Sequence, residues 1–263
     1  MKKIFALSLI GLIVGLAAFA ASPVKPSKKS ATQSYAVTNF DEMKVSRMID
    51  VEYEQTNTNA WSVEVTAPEN ILPYVEVKRN GHCLMLSLSN KLATEGRYQV
   101  KAKVKSPVMS EVKLSGASSF KAGKINLAGK TMELEASGAS DFDIKSIIAS
   151  KVEIEMSGAS DFDLGSVSAQ SVDIELSGAS DATVNNISAT KVDLEVSGAS
   201  GAKLSGKTDN AELSASGAST IRCGSLKARI GKLSASGSSD ITSNIANPLL
   251  QSSSGASSIK NNR

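Results

Sequence analysis

The sequence predicts an all-β fold, a right-handed parallel β-helix with about twenty residues in each turn. Three observations predict it. The motif Ser-Gly-Ala-Ser or a close variant recurs with its glycines at positions 116, 138, 158, 178, 198, 217, 237 and 255. Between these motifs, apolar and polar residues alternate as they do in a strand with one buried face. No proline lies between Pro107 and Pro248, so a backbone ladder can run without interruption.

One repeat, KVEIEMSGASDFDLGSVSAQ at residues 151–170, shows the expected elements. Val152, Ile154 and Met156 alternate with glutamates and predict a strand. The Ser-Gly step interrupts this strand, Phe162 opens a second short strand, and a third apolar pair completes the unit. A single unit is too short to bury its apolar face. Stacking solves this, because equivalent residues then lie above one another at the inter-strand distance of about 4.8 Å.

The Ser-Gly-Ala-Ser motif itself is interpreted as a corner between two short strands. Glycine permits the backbone angles that a bend requires, and serine hydroxyls can bond backbone groups that the turn removes from the ladder. A flexible Gly/Ser linker is disfavoured because linkers lack the apolar alternation. A calcium-binding β-roll is disfavoured because its period is nine residues and its glycines come in tandem. The tolerated variation in turn length favours the right-handed over the left-handed form, which follows a stricter rhythm.

The N-terminal segment predicts export. Residues 1–21 have a basic start, an apolar run and an A-x-A site, as in a signal peptide. A transmembrane anchor is disfavoured because the apolar run is short and ends in small residues. Residues 22–37, rich in Pro, Ser and Lys, are predicted to form a disordered leader. The expected location is the periplasm, the outer-membrane surface or the extracellular space, with membrane contact only through the signal peptide.

The region before the repeats also predicts strands. Residues 38–110 contain Trp61 and most of the tyrosines, and their alternating segments are separated by turn signals such as Asn80-Gly81. No linker separates this portion from residues 111–263, so it is expected to continue and cap the β-helix as one unit. A cap is needed because the open end of a solenoid exposes apolar residues and strand edges. The polar tail after Pro248 is the candidate for the other cap.

Several stretches carry a family resemblance. FDEMKVSRMIDVEYEQ, VEVTAPENILPYVEVKRNGHCLMLSLSN and VKSPVMSEVKLSGASSF, followed by the Ser-Gly-Ala-Ser ladder, resemble the auto-transporter adhesin, head GIN domain family. This family is known mainly from exported proteins of Bacteroidetes-type bacteria. The resemblance extends from about residue 38 to the end of the chain. It implies a solenoid-like all-β fold, a surface or periplasmic location and adhesin-like binding, and it contributes no catalytic motif.

The residues that could carry chemistry predict a non-catalytic protein. The one histidine, His82, lies in a turn, and no G-x-S-x-G, H-E-x-x-H or C-x-x-C motif is present. Zinc sites are excluded on ligand count. A polysaccharide-active enzyme remains an alternative because β-helices also support such enzymes, and a structural envelope protein is another. Cys83 and Cys223 are predicted to be buried free thiols rather than a disulfide, although pairing stays open.

The acidic residues form a pattern. Residues 131–200 carry a net charge of −10, whereas residues 201–263 carry +5. In the stacked repeat, the acids predict three columns: Glu133, Glu153, Asp173 and Asp193, continuing to Glu212; Glu135, Glu155, Glu175 and Glu195; and Asp141, Asp161 and Asp181. Stacked like charges repel by roughly 1 kcal/mol per pair in water. The preferred interpretation is a charged face that discourages aggregation, and the alternative is a face that binds cations such as Ca²⁺ or a basic partner.

The expected partners follow from the surface and the composition. A rigid surface with a regular pitch suits an extracellular or envelope polysaccharide, or a protein. The net charge of +3 over 263 residues is too small to indicate nucleic-acid binding. No cofactor is expected apart from the calcium alternative, and the oligomeric state is left open.

Overall fold

The computed structural model describes residues 23–262, and the predicted signal peptide lies outside them. The described chain has seventeen strands and a short 3₁₀ turn at Leu72–Tyr74. The strands that precede the repeats are β1 (Ser30–Tyr35), β2 (Glu42–Ser46), β3 (Ile49–Gln55), β4 (Ser62–Pro68), β5 (Val75–Asn80), β6 (Cys83–Leu88) and β7 (Val100–Ser106). Those of the repeats are β8 (Glu111–Ser115), β9 (Ser119–Ala136), β10 (Asp141–Met156), β11 (Asp161–Leu164), β12 (Val167–Leu176), β13 (Asp181–Val196), β14 (Gly201–Ala215), β15 (Thr220–Ala235), β16 (Asp240–Ser253) and β17 (Ser258–Asn261).

Each repeat is one turn of a parallel coil. β9 pairs with β10 over almost its whole length, and the pairing continues turn by turn to β17. The predicted solenoid of about eight turns with twenty-residue rungs is confirmed. In the repeat at residues 151–170, the expected short strand is present as β11, which is separate from β12. In neighbouring repeats the corresponding strands run together, as in β10, where the register shifts near Ala149. The handedness of the coil stays a prediction.

The N-terminal portion continues the coil. β2 pairs in parallel with both β6 and β8, and β3 pairs in parallel with both β7 and β9. Beyond these strands the direction changes, because β5 adds to β6 and β4 adds to β7 in antiparallel orientation. The end of the coil is therefore covered by hairpin-type pairs, which leaves only short antiparallel edges.

The expectation of a disordered leader over residues 22–37 was wrong. β1 pairs antiparallel with β4, and the hydroxyls of Thr32 and Thr66 lie 2.7 Å apart across the pair. Ala31 and Tyr35 pack against the core. The polar composition of this segment suggested disorder, but an edge strand needs few apolar residues when a neighbouring strand offers free backbone groups.

The core is mostly aliphatic, and one aromatic stack runs through it. Tyr53, Phe120, Phe142 and Phe162 lie on successive turns, with ring centroids 5.7, 5.8 and 5.8 Å apart. Ala182 occupies the equivalent position on the next turn. These residues are almost fully buried, as their alternation in the sequence predicted.

At the C-terminal end, the inward positions become polar. Gln251 and Ser253 stand in register with the buried Leu233 and Ala235 of the preceding turn. The side-chain amide of Asn261 accepts a hydrogen bond from the backbone N–H of Ile245 at 2.8 Å and donates one to its carbonyl at 2.9 Å. The tail thus satisfies backbone groups that have no further strand to pair with.

The two cysteines lie apart in the core. Both Cys83 and Cys223 are free and buried, which confirms the predicted thiols. Burial raises the pKa of the Cys223 thiol to about 12, so it stays protonated and unreactive at neutral pH.

Candidate functional site

The corner motif is architectural. Each motif glycine has a positive φ, and the amide of the following residue bonds to the glycine carbonyl one turn below, as Ala159 does to Gly138 at 2.7 Å. The second serine is buried and closes the corner, since the Ser160 hydroxyl donates to the Ser157 carbonyl at 2.9 Å. The Ser157 hydroxyl donates to the Ala136 carbonyl below at 3.3 Å. These contacts satisfy backbone groups at the bend, as the sequence predicted.

The structure brings the acidic candidates together as three columns. The first acidic column holds Glu133, Glu153, Asp173 and Asp193, the second holds Glu135, Glu155, Glu175 and Glu195, and the third holds Asp141, Asp161 and Asp181. Neighbours in each column are direct partners in parallel pairs. Side chains of the first column are half-buried, whereas Glu155, Glu175 and Glu195 are exposed.

Lysines neutralise part of the first acidic column. Lys151 contacts Glu153 and lies 2.8 Å from Asp173, and Lys191 lies 3.0 Å from Asp193. These hydrogen bonds raise the pKa of both lysines. The sequence analysis missed this pairing. The signal was the spacing Lys-Val-Glu or Lys-Val-Asp, because residues two apart on a strand share a face.

In the first acidic column, the pKa of Glu133 is raised and the pKa of Asp173 is lowered. Burial, followed by the nearby Glu111 and Glu153 carboxylates, raises the pKa of Glu133. Burial also acts to raise the pKa of Asp173, but hydrogen bonds from Lys151 and Ser171 outweigh it and lower that pKa below its ordinary value. The difference arises because Asp173 forms an ion pair with Lys151, whereas Glu133 forms none among residues 23–262.

The third acidic column is exposed. Burial and the Asp161 carboxylate raise the pKa of Asp141. Within residues 23–262, no three His, Cys, Asp or Glu side chains are placed to hold a metal ion. Calcium binding to the acidic columns stays a prediction.

A groove of about 630 Å³ runs along the coil beside the second acidic column. Its outward side chains belong to the second acidic column and to a row of serines, and buried apolar residues lie beneath them. The remaining lining residues include Lys44, Met85, Ser87, Lys113 and Ser214, and the row of serines is Ser46, Ser115, Ser137, Ser157, Ser177, Ser197 and Ser216. Lys113 lies 2.5 Å from Glu135 at one end. Among the described residues, Glu155, Glu175 and Glu195 have no ion-pair partner. We call this feature the axial groove.

Sequence reasoning found one wall of the axial groove and missed the other. The glutamates were candidates, but the serines were assigned only to the corners. The two rows meet because each corner turns its first serine toward the outward glutamate two residues earlier, as in Glu155 and Ser157. His82, the one histidine, lies away from the groove in an exposed turn, 3.6 Å from Asp41.

A known protein family matches most of the chain. Residues 39–182 and 163–262 match the family described as "Putative auto-transporter adhesin, head GIN domain". The chain belongs to this family. The resemblance seen in the sequence is thereby confirmed, and the family name fits an exported or surface protein. Within residues 23–262, no helix has the length and apolarity to cross a membrane.

Solved structures of 19% sequence identity share the fold. One described as a "putative adhesin" from Parabacteroides merdae has a TM-score of 0.75, over 92% of this chain and 100% of its own. Another of the same description, from Parabacteroides distasonis, has a TM-score of 0.79, over 90% and 99%. A third, also from P. distasonis and described as a "putative lipid binding protein", has a TM-score of 0.73, over 92% and 100%. No curated protein matches the chain.

Proposed function

We propose that this member of the adhesin family is an exported, non-catalytic binding module that holds an extended glycan in the axial groove. One observation carries the proposal: the groove repeats a carboxylate and a hydroxyl on successive turns, as in Glu155 with Ser157 and Glu175 with Ser177. The repeat distance along the coil is about 4.8 Å. A polymer of similar sugar units presents its hydroxyls at a regular interval and can engage several turns at once.

The groove chemistry suits sugars that carry hydroxyl or amino groups. Exposed carboxylates accept hydrogen bonds from either group, and charge-assisted bonds are the stronger ones. Serine hydroxyls donate and accept. Met156 and Leu176 lie beneath the groove as buried core residues, so the two polar walls provide the contacts to a sugar. Specificity for length follows, because each added sugar reaches another turn.

Non-catalysis is supported by the repetition itself. A pair of catalytic carboxylates needs two different environments that push their pKa values apart. Glu155, Glu175 and Glu195 instead occupy equivalent exposed positions on successive turns. The family description and the names of the structural relatives also point to binding rather than turnover.

Calorimetric titration of the mature chain tests the proposal. The probes are chitosan oligosaccharides and cello-oligosaccharides of two to eight units. We expect affinity to rise with chain length, and E155Q/E175Q to bind at least tenfold more weakly. The matched control is E64Q/E69Q, which removes the same charge from exposed residues outside the groove. Equal losses in both variants, or affinity that does not depend on length, would contradict the proposal.

The same samples test the enzyme alternative. After prolonged incubation, the oligosaccharides should be recovered at their original length. Release of shorter products by the wild type, and not by E155Q/E175Q, would replace the adhesin interpretation with a polysaccharide-active enzyme.

Surface display is tested separately on intact cells. We expect added protease to digest the protein without cell lysis, while a periplasmic marker stays intact. Protection until the outer membrane is permeabilised would restrict the protein to envelope glycans.

A further inference from the structure

A second hollow, of about 590 Å³, lies on another face of the coil and shares no lining residue with the axial groove. Its floor is formed by small residues from successive turns, including Ala169, Ala189 and Ala228. Lys207 and Lys227 line one side of this floor, and Arg229 stands two residues further along the strand from Lys227. Small side chains at the floor leave room above it, and long basic side chains border that room.

The two lysines face each other, and neither forms an ion pair with Asp209, which stands two residues after Lys207. Lys207 and Lys227 are direct partners in the parallel pair of β14 and β15. Ser188 precedes them in the same column, and Asn244 follows. Neither lysine has an ion-pair partner among residues 23–262, although Lys113, Lys151, Lys191 and Lys232 all have one. In the described part of the chain, the two ammonium groups are therefore not neutralised by an ion pair.

One acidic residue, Asp209, also lines the hollow. The Asp209 carboxylate lies 3.8 Å from the Arg229 guanidinium, and both side chains are more than half exposed. This contact is long and solvated, so it neutralises Arg229 weakly. With Asp209 counted, the side chains that line the hollow still carry an excess of two positive charges.

Directly opposed like charges destabilise a sheet. At the inter-strand distance, the two ammonium groups repel each other, and they do so more strongly where solvent is partly excluded. An anion placed between the two ammonium groups converts this repulsion into two attractions. The hydroxyl of Ser188 borders the same space and can donate to a remaining oxygen.

We propose that this hollow binds the oxyanion groups of an acidic polysaccharide, and that it does so independently of the axial groove. Lys207 and Lys227 supply the paired charges, and Arg229 adds a planar donor beside them. An open hollow with bases on adjacent turns suits a polymer that carries sulfate, phosphate or carboxylate at intervals. The protein then has two glycan-binding faces of opposite charge.

Calorimetry with a size-defined dextran sulfate, and with uncharged dextran of the same length, tests the site. We expect dextran sulfate to bind the wild type, K207Q/K227Q to bind at least tenfold more weakly, and uncharged dextran not to bind. The matched control is K101Q/K103Q, in which Lys103 lies between Glu52 and Glu64 on neighbouring strands. This control should change affinity less than threefold. An equal loss in both variants would show only attraction between bulk charges and would overturn the proposal.

Three further measurements test where dextran sulfate binds, whether the axial groove contributes, and whether another occupant explains the binding. Mass-spectrometric footprinting of wild-type amines should show that dextran sulfate protects Lys207 and Lys227 from methylation more than Lys101 and Lys103. E155Q/E175Q should bind dextran sulfate unchanged, which separates this site from the axial groove. If inorganic sulfate binds as tightly as the polymer, the occupant is a free ion and the proposal fails. If the wild type forms a salt-sensitive dimer in ultracentrifugation that K207Q/K227Q abolishes, the occupant is a second copy of the chain, and the proposal fails as well.

Discussion

At each repeated corner, the motif glycine stacks on the motif glycine below it. Gly178 has a φ of +76°, and a Cβ on it would lie 2.6 Å from the carbonyl oxygen of Gly158. Two separate constraints therefore select glycine: the left-handed conformation and the close approach of the backbone beneath. Gly123 has neither constraint, because nothing lies within 4 Å of its Cβ position and its φ is ordinary.

The first prediction compares these two glycines. Gly178→Ala should lower the free energy of unfolding by about 2 kcal/mol or more, because backbone strain of about 1–3 kcal/mol is joined by a steric contact. Gly123→Ala should be neutral or stabilising by up to about 1 kcal/mol, because it only restricts the unfolded chain. Urea denaturation measures both, and equal effects would contradict the stacked-corner account.

The second prediction concerns pH and rests on Glu133 and Asp173. The raised pKa of Glu133 means that the folded state holds this proton more tightly than the unfolded chain. Its stabilising contribution is present below the ordinary value of 4.5 and is lost as the pH rises through the raised pKa. The lowered pKa of Asp173 acts in the opposite direction, since its contribution is present above the ordinary value of 3.8 and is lost as the pH falls through the lowered pKa.

The two substitutions should therefore shift the melting temperature with opposite signs. At pH 7, Glu133→Gln should raise it and Asp173→Asn should lower it. The Glu133 difference should disappear as the pH falls below 4.5, whereas the Asp173 difference should only begin to decline as the pH falls below 3.8. Melting curves from pH 3 to pH 8 provide the measurement. Shifts of the same sign at pH 7 would show that charge number, and not the local partners, sets the stability of this column.

At the scale of elements, the aromatic stack joins the N-terminal strands to the repeats. Tyr53 belongs to β3, Phe120 to β9, Phe142 to β10 and Phe162 to β11. The stack ends at β13, where Ala182 occupies the equivalent position. Because it crosses from the irregular portion into the regular coil, it couples the stability of the two.

The third prediction removes the middle of this stack. Phe142→Ala should lower the free energy of unfolding by about 3–5 kcal/mol, the cost of a buried Phe side chain and its cavity. Phe142→Leu keeps most of the apolar volume and should cost clearly less. Urea denaturation distinguishes them. A similar loss for both substitutions would mean that ring packing, rather than filled volume, determines the stability of this segment.

At the scale of the whole molecule, the coil is quasi-one-dimensional, because each turn contacts mainly the turns beside it. Asp161 and Asp181 are direct register partners on adjacent turns. Removing the twenty residues 161–180 therefore joins Ser160 to Asp181 and leaves a coil that is one turn shorter. Removing only ten residues leaves a half turn and brings inward residues to outward positions.

The fourth prediction follows from this equivalence. Deletion of residues 161–180 should give a folded, all-β protein that unfolds cooperatively at a somewhat lower urea concentration. Deletion of residues 161–170 should prevent folding. Far-UV circular dichroism and urea denaturation measure the outcome, and a folded ten-residue deletion would show that the repeat is not the structural unit.

Much of the fold could be predicted from particular residues. The motif glycines set the period, and the alternation around residues such as Ile154 and Phe162 identified the buried face. The leader was misjudged, because the pairing of Thr32 with Thr66 depends on a strand edge thirty-four residues away. The acidic columns were predicted in register, but their neutralisation by Lys151 and Lys191 was not, although both lysines stand two residues before the acids they contact.

The sequence by itself determined the repeat, its length and which residues face the core, because alternation and glycine spacing are local properties that stacking multiplies. Only the tertiary structure decided where the two candidate binding surfaces lie. The axial groove exists because corners bring Ser157 and its equivalents beside Glu155 and its equivalents. The basic hollow exists because the pairing register opposes Lys207 to Lys227. Both depend on how turns stack in space, and no local pattern along the chain carries that information.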